Sequence, residues 1–205
     1  MRIRISCTNE KSFKFDDERA IDFIHALKLH DTNGLKQLGI ESFGAIVSLV
    51  IDTMRISEFP QEIGYLSNLI NFEIGGDRSN QYGEFWDYDA DPIVVNEAAL
   101  PPEAERFVHL RWLELAGTKI SSLPPEIWHL DQLLVLNLNS SPISLLPSDI
   151  KALTHLARLS LAWTNISIIP PEIGHLDCLA NLDLSGTEIT DLPPETARLE
   201  TLGCI

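Results

Sequence analysis

The chain has 205 residues, 44% of them hydrophobic, and a formal net charge of −15. No apolar run nears the roughly 18 residues of a membrane span, and so acidic a surface is a poor match for a phosphate backbone, which argues against membrane-spanning and nucleic-acid-binding classes. Cys7, Cys178 and Cys204 are odd in number and lack metal-ligand spacing, so neither a disulfide framework nor a zinc site is expected. The first residues, MRIRISCTNEKSF, hold no uninterrupted apolar core of a secretory signal. The expectation is a soluble cytoplasmic protein with no cofactor.

In chain order, residues 1–45 form an N-terminal cap. Arg2 to Ser6 and Ser12 to Phe15 alternate as two short strands around a polar turn at Thr8 and Asn9. Asp16 or Asp17 can then cap a helix with Ala20, Ile21, Phe23, Ile24 and Leu27 on its apolar face, and Asn33-Gly34 is expected to end it. His25 and His30 read as surface or packing residues. Ile40 and Phe43 match the tail of a degenerate repeat.

From Ile46 onward one pattern recurs. Its clearest copy is LRWLELAGTKISSLPPEIWHLDQL, from Leu110 to Leu133. Leu113 and Leu115 alternate with Trp112 and Glu114 as in a strand, whereas Leu123 to Leu130 is spaced as one helical turn opened by Pro124 and Pro125. The copies are 46–68, 69–109 with an insertion at about 75–95, 110–132, 133–155, 156–178 and 179–201, followed by the start of a further strand at Leu202. Such a unit cannot bury its apolar side alone, so the copies must stack.

The template LxxLxLxxTxIxxLPxEIxxLxx resembles the 23-residue class of leucine-rich repeats found in Ras-suppressor-like and scribble-like proteins and in many bacterial and plant proteins. The resemblance covers residues 46–205. It implies an α/β leucine-rich-repeat solenoid, a curved right-handed horseshoe with a parallel sheet on the concave side and short helical turns on the convex side. Here an α+β cap precedes it. Fold alone is nearly silent on function. Where the family usually has Asn, this chain has Met54, Thr118, Ser141, Thr164 and Thr187; the hydroxyls of the last four can bond turn backbone more weakly than Asn.

Residues 1–45 carry seven basic and seven acidic residues, so the repeats hold the whole excess, eight basic against 23 acidic. Glu62, Glu103, Glu126, Asp149, Glu172 and Glu195 occupy one column just after the prolines, where an acid meets the N-terminal end of a helical turn. Removing that column still leaves the repeats at −9. A basic partner accounts for the remainder, and so does solubility.

The insertion GGDRSNQYGEFWDYDADPIVV carries Tyr82, Phe85, Trp86 and Tyr88 among Glu84, Asp87, Asp89 and Asp91. Aromatics beside acids suit a clamp on a basic, partly apolar surface; the same aromatics can instead fold down onto the solenoid. Asp87, Asp89 and Asp91 also open like a calcium loop, but Pro92 and Ala98 stand where its Gly and bidentate Glu belong.

Strand alternation sends two lanes of side chains to the concave face. One runs Ser48, Asn71, Trp112, Val135, Arg158, Asn181; the other Val50, Glu73, Glu114, Asn137, Ser160, Asp183. Trp163 is expected just beyond, and Trp128 on the convex side as packing. Trp112, Trp163 and Arg158 read as anchors, with Glu73, Glu114, Asn137 and Asp183 pairing a partner's cations. The alternative for both tryptophans is packing on a neighbouring strand. Glu73 and Glu114 are neighbours, but an open sheet is expected to offer no pocket that would separate their pKa values. The histidine pairs His109/His155 and His129/His175 should lie roughly 9 to 10 Å apart, too far to share a metal.

The reading is a non-enzymatic protein-interaction module for a basic protein partner. Alternatives are an inhibitor or immunity-type protein for a basic enzyme, the substrate-recognition part of a bacterial effector or ubiquitin-ligase-like protein, and self-assembly through the C-terminal edge.

Overall fold

The computed structural model describes residues 2–15, 17–52, 61–74 and 102–203. In the cap, β1 (Arg2–Cys7) and β2 (Ser12–Phe15) pair antiparallel, with Ile3 opposite Phe15 and Ile5 opposite Phe13. Helix α1 (Asp17–Lys28) buries Ala20, Phe23, Ala26 and Leu27. Ile21, expected on that face, is 57% exposed, and Ala26 takes its place. Each residue turns the helix by about 100°, and Ile21 lies one step from Ala20 on the side away from Phe23 and Ala26.

The expected stop at Asn33-Gly34 is also corrected. The chain turns earlier, at His30, which adopts a left-handed φ of +48°. Asp31 then caps a second helix, α2 (Thr32–Gln37), its Oδ1 accepting the Asn33 N–H at 3.0 Å. An Asp oxygen at the N-cap outweighs the helix-breaking tendency of Asn-Gly inside a single turn. His30 stacks on Tyr65 with ring centroids 4.0 Å apart and meets Phe43 edge-on at 5.2 Å, which ties the cap to the first repeat.

The cap does more than cover the core. Its strand β1 pairs antiparallel with β3 (Ile46–Asp52), the first repeat strand, placing Ile3 opposite Ile51 and Ile5 opposite Leu49. From β3 onward the sheet is parallel through β4 (Asn71–Ile74), β5 (Trp112–Glu114), β6 (Val135–Asn137), β7 (Arg158–Ser160) and β8 (Asn181–Asp183). The order in one open eight-stranded sheet is β2-β1-β3-β4-β5-β6-β7-β8. Register aligns Leu49, Phe72, Leu113, Leu136, Leu159 and Leu182 in one row, each with no exposed surface. A slip by one residue would send that whole row to solvent, so the apolar pattern pins the register.

On the opposite side each repeat makes a short 3-10 turn, as at Pro125–His129, Ser148–Ala152, Pro171–His175 and Pro194–Arg198. Proline at the cap fixes φ and needs no N–H there, and the acid column falls in the first turn each time. Between strand and turn, Thr118, Thr164 and Thr187 donate their hydroxyls to the carbonyls of Leu115, Leu161 and Leu184 at 2.7 to 2.8 Å, and Ser141 does the same to Leu138. These bonds stay within one repeat. Thr118, Ser141 and Thr164 are almost wholly buried, and the bond satisfies each hydroxyl.

The 3-10 turns approach closely where the repeat carries glycine. A Cβ on Gly174 would lie 2.6 Å from the Glu195 carbonyl oxygen and 2.8 Å from its Cβ. In the repeat holding Trp128 that position is filled by the indole, which is 5% exposed. The contact at Gly174 is with backbone, so a side chain there must push the last turn away. Gly174→Ala is therefore expected to cost about 1–3 kcal/mol. Urea unfolding measures the cost, and faster amide exchange at 181–183 than at 112–114 would locate it in the last repeat.

Candidate partner-binding face

The parallel register sets the two lanes of the concave face. Asn71, Trp112, Val135, Arg158 and Asn181 are successive partners, as are Glu73, Glu114, Asn137, Ser160 and Asp183. Arg158 is exposed, Trp112, Glu73, Glu114, Asn137 and Asp183 are half-buried, and Ser160 is buried. One cation and one indole thus share a surface with three carboxylates.

Several of these polar groups also hold the fold. Glu114 Oε1 accepts the Ala116 N–H at 3.2 Å, Asn137 Oδ1 that of Asn139 at 3.0 Å, and Asp183 Oδ1 that of Ser185 at 3.0 Å. Each closes a two-residue turn at the end of its strand. Across strands, Asn137 Nδ2 donates to Glu114 Oε2 at 2.9 Å, and the Ala162 N–H donates to Asn139 Oδ1 at 2.7 Å. Asn71 Nδ2 donates to Ser48 Oγ at 3.3 Å.

Of the two neighbouring glutamates, Glu114 is perturbed by its place in the sheet. Burial, opposed by the bonds from Asn137 and Ala116 and reinforced by the charge of Glu73, pushes the Glu114 carboxyl up to about 7. A carboxyl raised in the folded state keeps its proton after the unfolded chain has lost it, so stability falls as pH rises from about 4.5 to about 7. Glu114→Gln should flatten that fall and raise stability at pH 8 by about 1–2 kcal/mol. Urea midpoints for both proteins across this range check the sign.

Trp163 lies beyond the strand lanes, at the rim. It occupies one of four stacked positions, Gly117, Ser140, Trp163 and Gly186, with φ of +70°, +55°, +58° and +68°. The ladder of N–H bonds from Gly117 to Asn139, from Ser140 to Ala162 and from Trp163 to Ser185, at 2.7 to 2.8 Å, enforces this conformation. The left-handed region costs an L residue about 1–2 kcal/mol. The indole leans on Gly186, where a Cβ would come within 2.6 Å of its Cδ2 and Cε3, yet the residue is 68% exposed. Reading strand alternation alone misses this column; its signal is glycine at 117 and 186 in the same place of two repeats. Trp163→Gly should leave the protein as stable or up to about 1 kcal/mol more stable, whereas Gly186→Ala should cost about 2 kcal/mol. Thermal unfolding of the two variants tests this contrast.

The remaining sequence-derived candidates divide in two. Tyr82, Phe85, Trp86, Tyr88, Asp87, Asp89 and Asp91 lie outside the described residues. Two of the paired histidines bond backbone: His155 Nδ1 lies 2.9 Å from the Asp131 carbonyl oxygen and His175 Nδ1 lies 3.3 Å from that of Glu172. Among the described residues no three His, Cys, Asp or Glu side chains gather as a metal site, and no helix is long and apolar enough to cross a membrane.

Comparisons with known proteins agree with this architecture. A family model described as a leucine-rich repeat region matches residues 102–163. Comparison with curated proteins gives no match. Among solved structures, a leucine-rich repeat protein of Leptospira interrogans is 28% identical with a TM-score of 0.57, over 76% of this chain and 34% of that one. A plant peptide hormone receptor, RGFR1, solved in complex with RGF2, is also 28% identical, with a TM-score of 0.59 over 76% of this chain and 23% of its own. Internalin C2 of Listeria monocytogenes, at 18% identity and a TM-score of 0.64, shares the fold over 97% of this chain and 76% of its own. The chain thus spans about a third of the Leptospira protein and less than a quarter of the receptor. Stacked in-register strands, a 3-10 turn in each described repeat and these likenesses together identify the fold as that of leucine-rich repeat proteins.

Proposed function

We propose that the chain is a non-catalytic interaction module that holds a basic protein on its concave face. The observation that carries this reading is the lane register, which gathers Trp112 and Arg158 with Glu73, Glu114 and Asp183 on one open surface. A half-buried indole surrounded by charge has the composition of an interface anchor. The acid excess of the repeats favours a partner of opposite sign and speeds its encounter. Support also comes from the plant receptor, a relative in fold that was solved as a complex. The aromatic and acidic stretch from Tyr82 to Asp91, which follows β4 in the chain, is assigned to the same partner by its composition.

Immobilised protein incubated with lysate of the source organism should retain a basic protein, and retention should fall as ionic strength rises. Trp112→Ala should weaken the purified complex by at least about 30-fold. Equal retention by wild type and by a Trp112→Ala, Arg158→Ala double variant shown to be folded would overturn the concave-face reading.

A further inference from the structure

The flank on which each repeat descends from the concave sheet to its 3-10 turn is charged at its ends and uncharged between them. Residues 132–148 and 159–171, which include that side of the two central repeats, hold no acidic or basic side chain in a chain of net charge −15. Within them Leu145 and Ile168 each precede a buried aliphatic and a proline, Leu146-Pro147 and Ile169-Pro170, and stand 23 residues apart. They are therefore equivalent residues of adjacent repeats, about one strand spacing, roughly 5 Å, from each other. The Asn165 N–H bonds the Ile143 carbonyl at 2.9 Å, which holds the two descending segments side by side. Leu145 is 72% and Ile168 75% exposed, more than any other large aliphatic of the described repeats. At that exposure they add little to the fold.

The same spacing lays out three columns along this flank. One runs Lys119, Pro142, Asn165, Glu188; the next Ser122, Leu145, Ile168, Asp191; and at the rim of the concave face Gly117, Ser140, Trp163, Gly186. Lys119, Ser122, Glu188 and Asp191 are all exposed. The columns are self-complementary about their middle. A two-fold axis that crosses the flank between repeats 133–155 and 156–178 sets each column of one copy against the same column of another, with the order of repeats reversed. Lys119 then faces Glu188 of the second copy, with Asp191 close by. Leu145 faces Ile168, and the exposed Trp163 faces the small Ser140. Each contact occurs twice.

We propose that the chain pairs with a second copy of itself through this flank, with Leu145 and Ile168 at the centre and Lys119 against Glu188 at each end. An apolar centre inside a charged rim is the anatomy of a protein interface. The central repeats bring no charge to the contact, so the mutual repulsion of two acidic chains is least there. The surface spans four repeats on one flank only, which places it at the small end of interfaces and sets the dissociation constant at about 10–100 µM. The pairing does not rest on the concave-face reading. It leaves the strand lanes of both copies open, facing the same way.

Sedimentation velocity of the full chain from about 1 to 500 µM, which brackets that constant, is the test. The expected result is a reversible passage from monomer to dimer. Ile168→Glu, at an exposed position clear of the buried leucine row, should weaken the dimer at least about 10-fold by placing an unpaired charge at its centre. Lys119→Glu and Glu188→Lys should each weaken it about 3- to 10-fold, because each sets like charges against one another at both ends. An equimolar mixture of those two variants should regain the affinity of the unaltered chain, since both ends of the mixed pair again join unlike charges. Circular dichroism and urea midpoints establish that the three variants are folded. A chain that stays monomeric throughout, a dimer indifferent to Ile168→Glu or to the charge reversals, or reversals whose loss is not recovered on mixing would overturn the proposal. A dimer that survives all three substitutions would lie on another surface, such as the C-terminal edge.

Discussion

The row from Leu49 through Phe72, Leu113, Leu136 and Leu159 to Leu182 is the contact on which everything else depends. Each repeat supplies one strand of three to seven residues and one short turn, too little to enclose an apolar core. Burial becomes favourable only when neighbours share it, so the stability of the chain is a sum of interfaces between repeats more than a property of any one of them. The cap enters this sum as a participant. Its β1 hydrogen-bonds directly to the first repeat strand, and the stacked pair of His30 and Tyr65 ties its helical side to the first 3-10 turn.

That arrangement divides the residues of each repeat by role. Leucines fix register, buried hydroxyls satisfy the turn, prolines open the 3-10 turn, and the rest is free to vary. The concave lanes are where that freedom is used, though not entirely. Glu114, Asn137 and Asp183 each tether a turn with one oxygen, so the same atoms that shape the surface for a partner also hold the ends of the strands in place. A carboxylate fixed in this way loses little side-chain freedom when it meets a cation, which favours recognition.

The sequence made the repeat architecture legible because its apolar period is repeated six times, and repetition suppresses the ambiguity of any single short strand. Where a feature occurs once, reading failed in identifiable ways. Ile21 looked like a core residue because it is apolar, yet helix geometry turns it outward. Asn33-Gly34 looked like a stop because its breaker tendency is local, yet Asp31 overrode it with a cap. The raised pKa of Glu114 follows from its burial in the stacked sheet and the charge of Glu73, which no linear pattern records. Trp163 was visible as an exposed aromatic, but its left-handed backbone follows from the ladder of turns and could only be inferred by comparing Gly117 and Gly186 across repeats.

The antiparallel joint between β1 and β3 gives the molecule a direction. At β8 the strand runs parallel to its predecessor and the turn after it is already of repeat type, with the Gly203 N–H bonded to the Ala180 carbonyl as Ala180 is to Ala157. A duplicated repeat can be accommodated there or anywhere among the parallel strands. It cannot be placed beyond β1, because the outer edge of that strand is already paired with β2. Lengthening of such a chain by duplication is therefore one-way, and the recognition surface can be extended without disturbing the joint that starts it.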